Sequence, residues 1–473
     1  MAGSRRMMTG AAALSLIFLA LALLRPIDHD ESQYVAAAVL TAHGLLQYRD
    51  YAYLQTPLQP LLLAPVAALA GSLAWPALRI VNALFGVVAV IAVAGAARTA
   101  GASRWLAVVA AGLFATTDIL LFSIGTARND ALPAACLAVA LWLALRPART
   151  RAVAAAIGGL LAAATAAKLS YAFPALAYGG YALVDAHRQR PGWVLAGVAP
   201  LALFVAWTLW LAPQGFAFGV FVFPQAAPDQ YYRAAGRAWK LTASAKIIDF
   251  VKFLALGPAL LSLIVVGIAR GTRRPVLPLV LIIAGLFAAL LPTPTWRQYL
   301  LPLLPPLFVA LALVWTRQPP ARWLRVAMAV FVGAGLAPSL IAIASGGGMV
   351  TAIRDGTAIR TAMDRAGATG AVATLSPAFV PATARAIDPR FATGPFYFRS
   401  RGLLSPADER ALTLVSRDRA AAAPLPPTVL TGGEGPWTSG DAALDQLLAD
   451  RARGAGYRKV AVPGDRFTLW IEP

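Results

Sequence analysis

The densest concentration of reactive side chains is Asp28, His29, Asp30, Glu31, Ser32, Gln33 and Tyr34, directly after an apolar stretch that ends in Leu24, Arg25 and Pro26. A carboxylate at such a boundary is partly dehydrated, which raises its pKa and makes it a better proton acceptor than one in bulk water. General-base chemistry on a hydroxyl is therefore open to the carboxylates of this run, Asp28, Asp30 and Glu31. The competing reading is local, since the same carboxylates could cap a surface helix starting near Ser32. Other charges stand where later apolar stretches begin or end: Arg79 with Asn82, Arg128-Asn129-Asp130, Lys168, and Arg297 with Tyr299. Arg128, Lys168 and Arg297 suit an anionic leaving group. Each could equally be an interface residue with its head in water, or a partner for Asp130 or a lipid headgroup. Asp130 is either a second acid of the site or a cap on the helix that follows.

The elements that must position these groups are set by the solvent. Of 473 residues 59% are hydrophobic and 13% are charged, about half the charged share of a soluble chain. The apolar residues fall in blocks of a length that crosses about 30 Å of hydrocarbon, which takes roughly 20 helical residues. Eleven spans are expected, near 8–24, 78–97, 105–123, 131–145, 152–167, 171–185, 193–212, 247–269, 275–291, 298–316 and 324–345. The basic clusters Arg98/Arg104, Arg146/Arg149/Arg151, Arg188/Arg190, Arg270/Arg273/Arg274 and Arg317/Arg322/Arg325 all fall inside if the N-terminus does. Counting Pro57 to Trp75 as a span would reverse every later loop, so it is expected to lie on the outer surface or to re-enter partway. The acids Asp28, Asp30, Glu31, Asp50, Asp118, Asp130, Asp229 and Asp249 then sit at or beyond outer span ends, facing the outer boundary. Span interiors carry almost no charge, which argues against channels and ion-coupled carriers.

The fold class is therefore a polytopic α-helical membrane protein with a C-terminal α/β domain. A membrane domain covers 1–345, with a first outer loop at 25–77 and a long outer loop at 214–246. Past Gly346 the apolar blocks shorten and charges return. Strand-like runs occur at Gly370–Leu375, Thr428–Thr431, Lys459–Val462 and Phe467–Ile471, and Asp441–Arg453 has helical periodicity with an acidic first turn. An α/β domain at 346–473 is expected on the outer side.

The net charge of +20 is scattered in the pattern of topology signals, which speaks against a nucleic-acid partner. A single cysteine, Cys136, excludes an intrachain disulfide, and His29, His43 and His187 have no zinc-site spacing. No glycine-rich loop offers a cradle for a nucleotide, and no cofactor is expected. A pair of carboxylates is weak ground for an essential divalent metal.

Asp30-Glu31-x-x-Tyr34, Gly44, Tyr48-x-Asp50 and Pro57-Leu58 together resemble the first-loop signature of the polyprenyl-phosphate-dependent membrane glycosyltransferases of the GT-C fold. That superfamily includes protein O-mannosyltransferases, lipid A aminoarabinose transferases and rhizobial galacturonosyltransferases of lipopolysaccharide. The Arg79, Arg128-Asn129-Asp130, Lys168 and Arg297-x-Tyr299-x-x-Pro302 elements follow in matching order, so the resemblance covers nearly all of the membrane part. It implies about eleven transmembrane helices in a bacterial inner membrane, with the N-terminus cytoplasmic and the C-terminal domain periplasmic. It implies a polyprenyl-phosphate sugar as donor, transferred with inversion to an envelope glycan, lipid or protein. Asp30 would be the base and Glu31 its neighbour. Arg128, Asp130, Lys168, Arg297, Tyr34 and Tyr48 would surround the donor headgroup. Relatives often carry a lysine just before the Pro-Leu pair, where this chain has Gln55-Thr56, so another cation must meet the phosphate. The alternative class is a carrier or flippase for lipid-linked saccharides, which buried charges or paired broken helices would favour. A scaffold whose outer domain binds a partner is a third class.

Overall fold

Long runs of Ala and Leu, both strong helix formers, lead to helix through most of the first 345 residues. The computed structural model describes residues 2–269, 276–438 and 440–473. In chain order the first helices are α1 (Ala2–Leu24), α2 (Glu31–Ala42), α3 (Leu58–Ala70), α4 (Ala74–Thr99), α5 (Arg104–Ala115), α6 (Asp118–Ile124), α7 (Ala131–Ala144), α8 (Arg151–Ala167) and α9 (Ala172–Val184). Helices at Pro191–Leu211, Phe223–Ala234, Ala243–Ala255, Ala259–Ile268, Val276–Leu290, Leu304–Arg317 and Arg322–Ala344 follow. Four helical runs, Leu58–Thr99, Pro191–Leu211, Arg297–Arg317 and Arg322–Ala366, are long and apolar enough to cross a membrane. Two bent pairs raise that number to six, and shorter apolar helices at Thr9–Leu24, α7, α8 and Val276–Leu290 accompany them. Each expected span overlaps a helix or a bent pair. The cluster Arg270, Arg273 and Arg274 lies outside the described residues.

Three features stand out against the sequence expectation. First, α3 passes through a 3-10 turn at Gly71–Leu73 into α4, so that the Pro57–Trp75 stretch and the expected span 78–97 form one 42-residue helical run. Gly71, at φ +54°, supplies the conformation that joins them. Second, α2 is not a surface helix, because every residue from Glu31 to Leu40 is buried. Third, broken helices and buried charges are both present. α5 and α6 meet at 67°, and Ala243–Ala255 meets Ala259–Ile268 at 99°. The two breaks face each other, with the Asp118 N–H donating to the Leu256 carbonyl at 3.0 Å. A Cβ on Gly257 would lie 2.8 Å from Thr117 Cα, so close approach here needs glycine. Hydropathy averaged over a window hides such breaks, because the residues on either side remain apolar.

Helix contacts rest on small residues. A Cβ on Gly158 of α8 would come within 1.9 Å of the Val194 carbonyl oxygen, and one on Gly197 within 1.8 Å of the Ala155 carbonyl oxygen. The backbones of α8 and Pro191–Leu211 therefore approach as closely as small-residue contacts in lipid allow. The opposite surface of Pro191–Leu211 exposes Leu203 and Trp210, as a lipid-facing helix does.

The C-terminal unit has five strands, β1 (Ala371–Ala373), β2 (Ala386–Ile387), β3 (Thr428–Thr431), β4 (Arg458–Ala461) and β5 (Thr468–Ile471), in the order β2-β1-β3-β5-β4. β1 runs parallel to β2 and β3, and β5 antiparallel to β3 and β4. Alternation of side chains sorts the sheet into two faces. Val429 and Trp470 pack with Leu444 and Leu448 of the Ala442–Gly454 helix. Leu430 and Leu469 belong instead to a cluster that contains Ile359, Phe379, Val35 and Val39. The second cluster runs from the sheet into α2, so the C-terminal unit and the first loop share one hydrophobic core. That shared core sets the position of Asp30.

Candidate active site

Pro26 has no N–H to continue α1, and the chain turns there. Two carboxylates then take up backbone donors at the start of α2: the Asp30 N–H donates to Asp28 Oδ1 at 2.9 Å, and the Asp28 N–H to Glu31 Oε1 at 3.1 Å. The pair works as a cap related to a capping box. The local reading of the loop thus holds for Asp28 and Glu31, whereas Asp30 makes no cap bond with its side chain.

Glu31 is fully buried and turned inward. It accepts from Arg79 Nε at 2.7 Å and from Arg79 Nη2, from Trp75 Nε1 at 2.9 Å and from the Ala127 N–H at 2.7 Å. Arg79, equally buried, also donates to the carbonyls of Ala22, Arg25 and Pro26, tying the end of α1 to α4. Asn82 donates to the carbonyls of Thr126 and Arg128 at 2.7 and 2.6 Å, and Gln59 to that of Arg128 at 3.0 Å. The turn before α7 is therefore held from three helices, which presents Arg128 in one orientation.

Arg128 joins the two acids. Its Nη1 pairs with Asp30 Oδ2, and its Nε lies 3.2 Å from Asp130 Oδ2. Asp130, fully buried, also pairs with Lys168, whose ammonium lies 5.4 Å from the Tyr299 ring centre. Tyr34 stacks near Arg128 at 6.0 Å. Beside them the Phe122 ring is approached by three guanidinium groups, Arg297 at 3.4 Å, Arg25 at 5.1 Å and Arg128 at 5.3 Å. Arg297 also pairs with Asp118 at 3.0 Å. Arg25 is met by the Ser339 hydroxyl at 3.0 Å and, among the described residues, by no carboxylate within ion-pair distance. The cluster is thus rich in positive charge beside an aromatic face.

His29 faces acceptors on both sides: Nε2 lies 3.0 Å from Asp30 Oδ1 and Nδ1 lies 3.2 Å from the Thr438 carbonyl oxygen. Both contacts are hydrogen bonds only if the ring carries both protons. Burial opposes that charge, but Asp30 and Asp28 outweigh it and raise the His29 pKa to about 9. For Asp30 the balance reverses the sequence expectation. Burial does act to raise its pKa, yet the guanidinium of Arg128 and the imidazolium of His29 hold the carboxyl well below the usual carboxylate range. Asp28 moves the other way, raised by burial and by the neighbouring Asp30. Resting Asp30 is thus an ion-paired carboxylate and a weak base.

A stability consequence follows with a definite sign. The folded-state pKa of His29 exceeds its ordinary 6.5, so its stabilisation is complete below pH 6.5 and is lost as pH rises through about 9. Glu434, raised by burial from 4.5 to about 8, acts in the same direction at lower pH. The unfolding temperature of the purified protein is expected to fall between pH 8 and 9, and His29→Gln to remove most of that slope. An unchanged slope in the variant would show that the imidazolium is not held by Asp30.

Asp28, His29 and Asp30 present ligand atoms within 4.8 Å of one another. A divalent cation there would compete with Arg128, which already engages Asp30.

The whole arrangement sits in a known architecture. The structure of ArnT from Cupriavidus metallidurans in the apo state matches with a TM-score of 0.63 at 14% identity, over 99% of this chain and 98% of that one. The same protein bound to undecaprenyl phosphate matches with a TM-score of 0.58 at 15% identity, over 98% and 97%. The chain has the GT-C fold. An Archaeoglobus fulgidus oligosaccharyltransferase tethered with an acceptor peptide gives 0.49 at 13% identity, over 93% and 71%. No protein-family model and no curated protein matches the chain.

Of the residues singled out in the sequence, this GT-C chain brings Asp30, Arg128, Asp130, Lys168 and Tyr34 into one cluster, with Arg297 beside it across Phe122. Glu31 adjoins from beneath. Tyr48 stands apart, packed 5.2 Å from the Phe216 ring. Arg25, His29, Phe122 and Thr438 were given no role by sequence reasoning. Arg25 had a signal, a cation trapped between the last turn of α1 and Pro26; Thr438 had none.

Proposed function

We propose that this chain is a membrane glycosyltransferase that moves a sugar from a polyprenyl-phosphate donor to a hydroxyl of an envelope acceptor, with inversion. The observation that carries the reading is a cavity of about 840 Å³, almost entirely apolar, between α8, α9 and Pro191–Leu211. Its walls include Leu161, Leu176 and Leu195, and it reaches Thr56, Pro57 and Leu169, the chain neighbours of Gln55 and Lys168. An isoprenoid tail in this cavity would bring its phosphate to the cationic cluster. The GT-C likeness to a protein with bound undecaprenyl phosphate supports the same donor class.

In this reading Lys168 and Arg128 receive the donor phosphate, and Lys168 takes the place of the lysine missing before Pro57. As Arg128 turns to the phosphate, Asp30 loses its strongest counter-charge and its pKa rises toward that of a working base. Asp30 then takes the acceptor hydroxyl proton while that oxygen attacks the anomeric carbon. The bond from that carbon to the phosphate oxygen breaks on the opposite face, and polyprenyl phosphate departs with its charge held by Lys168, Arg128 and Arg297. Attack opposite the leaving group inverts the configuration. Glu31 and Asp130 are positioning residues, Glu31 through Ala127 and Arg79, Asp130 through Arg128 and Lys168. In this reading the chain lies in a bacterial inner membrane with the C-terminal unit in the periplasm, and the basic clusters support a cytoplasmic N-terminus.

The bent helix pairs and buried charges would also suit a carrier. Sugar transfer by the purified chain in detergent, where no compartments remain and a carrier would do nothing, separates the two, and mass spectrometry of envelope lipids and glycans tests the transferase in cells. Deleting the gene is expected to remove one sugar increment from an envelope component, and the wild-type chain to restore it. An unchanged set of masses would exclude the transferase, and restoration by Asp30→Asn at the wild-type level would exclude Asp30 as its base.

A further inference from the structure

A second, polar cavity of about 260 Å³ lies where the Phe223–Ala234 helix meets the C-terminal unit, and the transfer chemistry proposed above does not use it. Its lining includes His29, Gln230, Arg399, Arg401, Arg417 and Glu434. Two elements build it. Gln230 grips the backbone of Arg401 at both polar groups, accepting from its N–H at 2.9 Å and donating to its carbonyl. Arg399 lies over the Tyr231 ring at 4.5 Å and the Phe396 ring at 5.2 Å, which limits its movement. The Arg417 N–H donates to the Phe398 carbonyl at 2.6 Å, which fixes the third arginine on the same wall.

The charges of this wall are not balanced from within. Among the described residues no carboxylate lies within ion-pair distance of Arg399, Arg401 or Arg417, and Asp441 uses its carboxylate to cap the Ala443 N–H at 3.0 Å. Glu434, the one buried acid in the lining, is raised by burial to about 8 and so is largely neutral near pH 7. The floor is His29, whose other edge touches Asp30. Arginine forks are built for oxyanions, and three of them facing one cavity make a receptor for negative charge. The volume is just below the roughly 300 Å³ at which pockets for drug-sized ligands begin, and suits one sugar residue with its charged group.

We infer that this crevice is the acceptor subsite and that it takes a saccharide bearing an oxyanion, whose free hydroxyl is thereby turned toward Asp30. The inference rests on the transferase reading and names its acceptor class. The acceptor is anionic, held by Arg399 and Arg417 with Arg401 at the rim, and an outer-face helix and the C-terminal unit together form its walls. Gln230 joins the two and makes the subsite depend on their contact.

The test uses the full chain in phosphatidylcholine nanodiscs and four probes: an acylated disaccharide bearing a phosphate, the same bearing a uronate carboxylate, the neutral disaccharide, and undecaprenyl phosphate. At least one charged probe is expected to bind ten-fold or more tighter than the neutral one, and which of them does so identifies the oxyanion. Arg399→Gln with Arg417→Gln is expected to remove that preference while undecaprenyl phosphate binding stays within two-fold. Equal binding of charged and neutral probes, no binding of either charged probe, or a preference unchanged in the double variant overturns the inference. So does displacement of the charged probe by phosphatidylglycerol at a fifth of the lipid, which would mark a bulk headgroup site. Failure of undecaprenyl phosphate to bind the wild type would instead strike the transferase reading itself.

Discussion

Asp30→Asn is expected to lower sugar transfer by roughly 10²–10⁴-fold, the range general bases supply, while leaving undecaprenyl phosphate binding nearly unchanged. The substitution keeps volume and removes the proton-accepting charge. Asp30 is suited to this test because its carboxylate, unlike those of Asp28 and Glu31, takes no part in capping α2. Arg128 retains Asp130 as a partner in the variant, so the loss is not expected to come from collapse of the cluster. The measurement is transfer from a defined donor, with binding and unfolding temperature recorded alongside. Transfer above a tenth of wild type, with fold intact, would remove Asp30 from the role of base. Because resting Asp30 is held down by Arg128 and His29, donor binding should also change the pH dependence of transfer relative to that of the free protein.

Arg79→Met is expected to cost about 3–5 kcal/mol of stability, the usual consequence of leaving one partner of a buried ion pair alone. Arg79 and Glu31 are both wholly shielded from solvent, and Arg79 closes three backbone carbonyls besides. Glu31→Gln strands the guanidinium and should destabilise for the same reason. The double variant Arg79→Met with Glu31→Gln is expected to cost clearly less than the sum of the two, since no lone charge remains. Chemical unfolding of the four proteins gives the cycle. Additive losses below about 1 kcal/mol each, the scale of an exposed pair, would mean that this pair does not hold the end of α1 to α4. A loss of transfer in Glu31→Gln would then be read against its stability, separating positioning from chemistry.

Much of the architecture was legible. The Asp441–Arg453 periodicity appears as the Ala442–Gly454 helix with Asp441 as its cap, and the Thr428–Thr431 run is β3. β2 was not legible because two residues, Ala386 and Ile387, carry no alternation. The Met349–Ala366 helix went unmarked because its apolar residues are interleaved with charges and follow directly on an apolar span. The competing reading of α2 as a surface helix fails, since polar side chains in sequence do not say that a buried guanidinium will receive one of them. That a 3-10 turn joins Pro57–Trp75 to α4 was not legible, because Gly71 between two apolar stretches does not say whether the chain turns or continues.

By itself the sequence determined the solvent, the helical class and the places where charge could be tolerated, because those follow from composition and from the cost of charge in hydrocarbon. The resemblance carried by the first-loop motif and the pieces that follow it in order also singled out Asp30, Arg128, Asp130 and Lys168. The tertiary structure decided which of these charges face each other. Arg128 lies 98 positions from Asp30, and Lys168 lies 38 from Asp130, so no local pattern pairs them. It also decided that Glu31 answers to Arg79, that His29 bonds the C-terminal unit, and that the net field lowers the Asp30 pKa instead of raising it. In a dehydrated site the sign of a pKa shift depends on which charges are nearest, and that is a matter of packing in three dimensions.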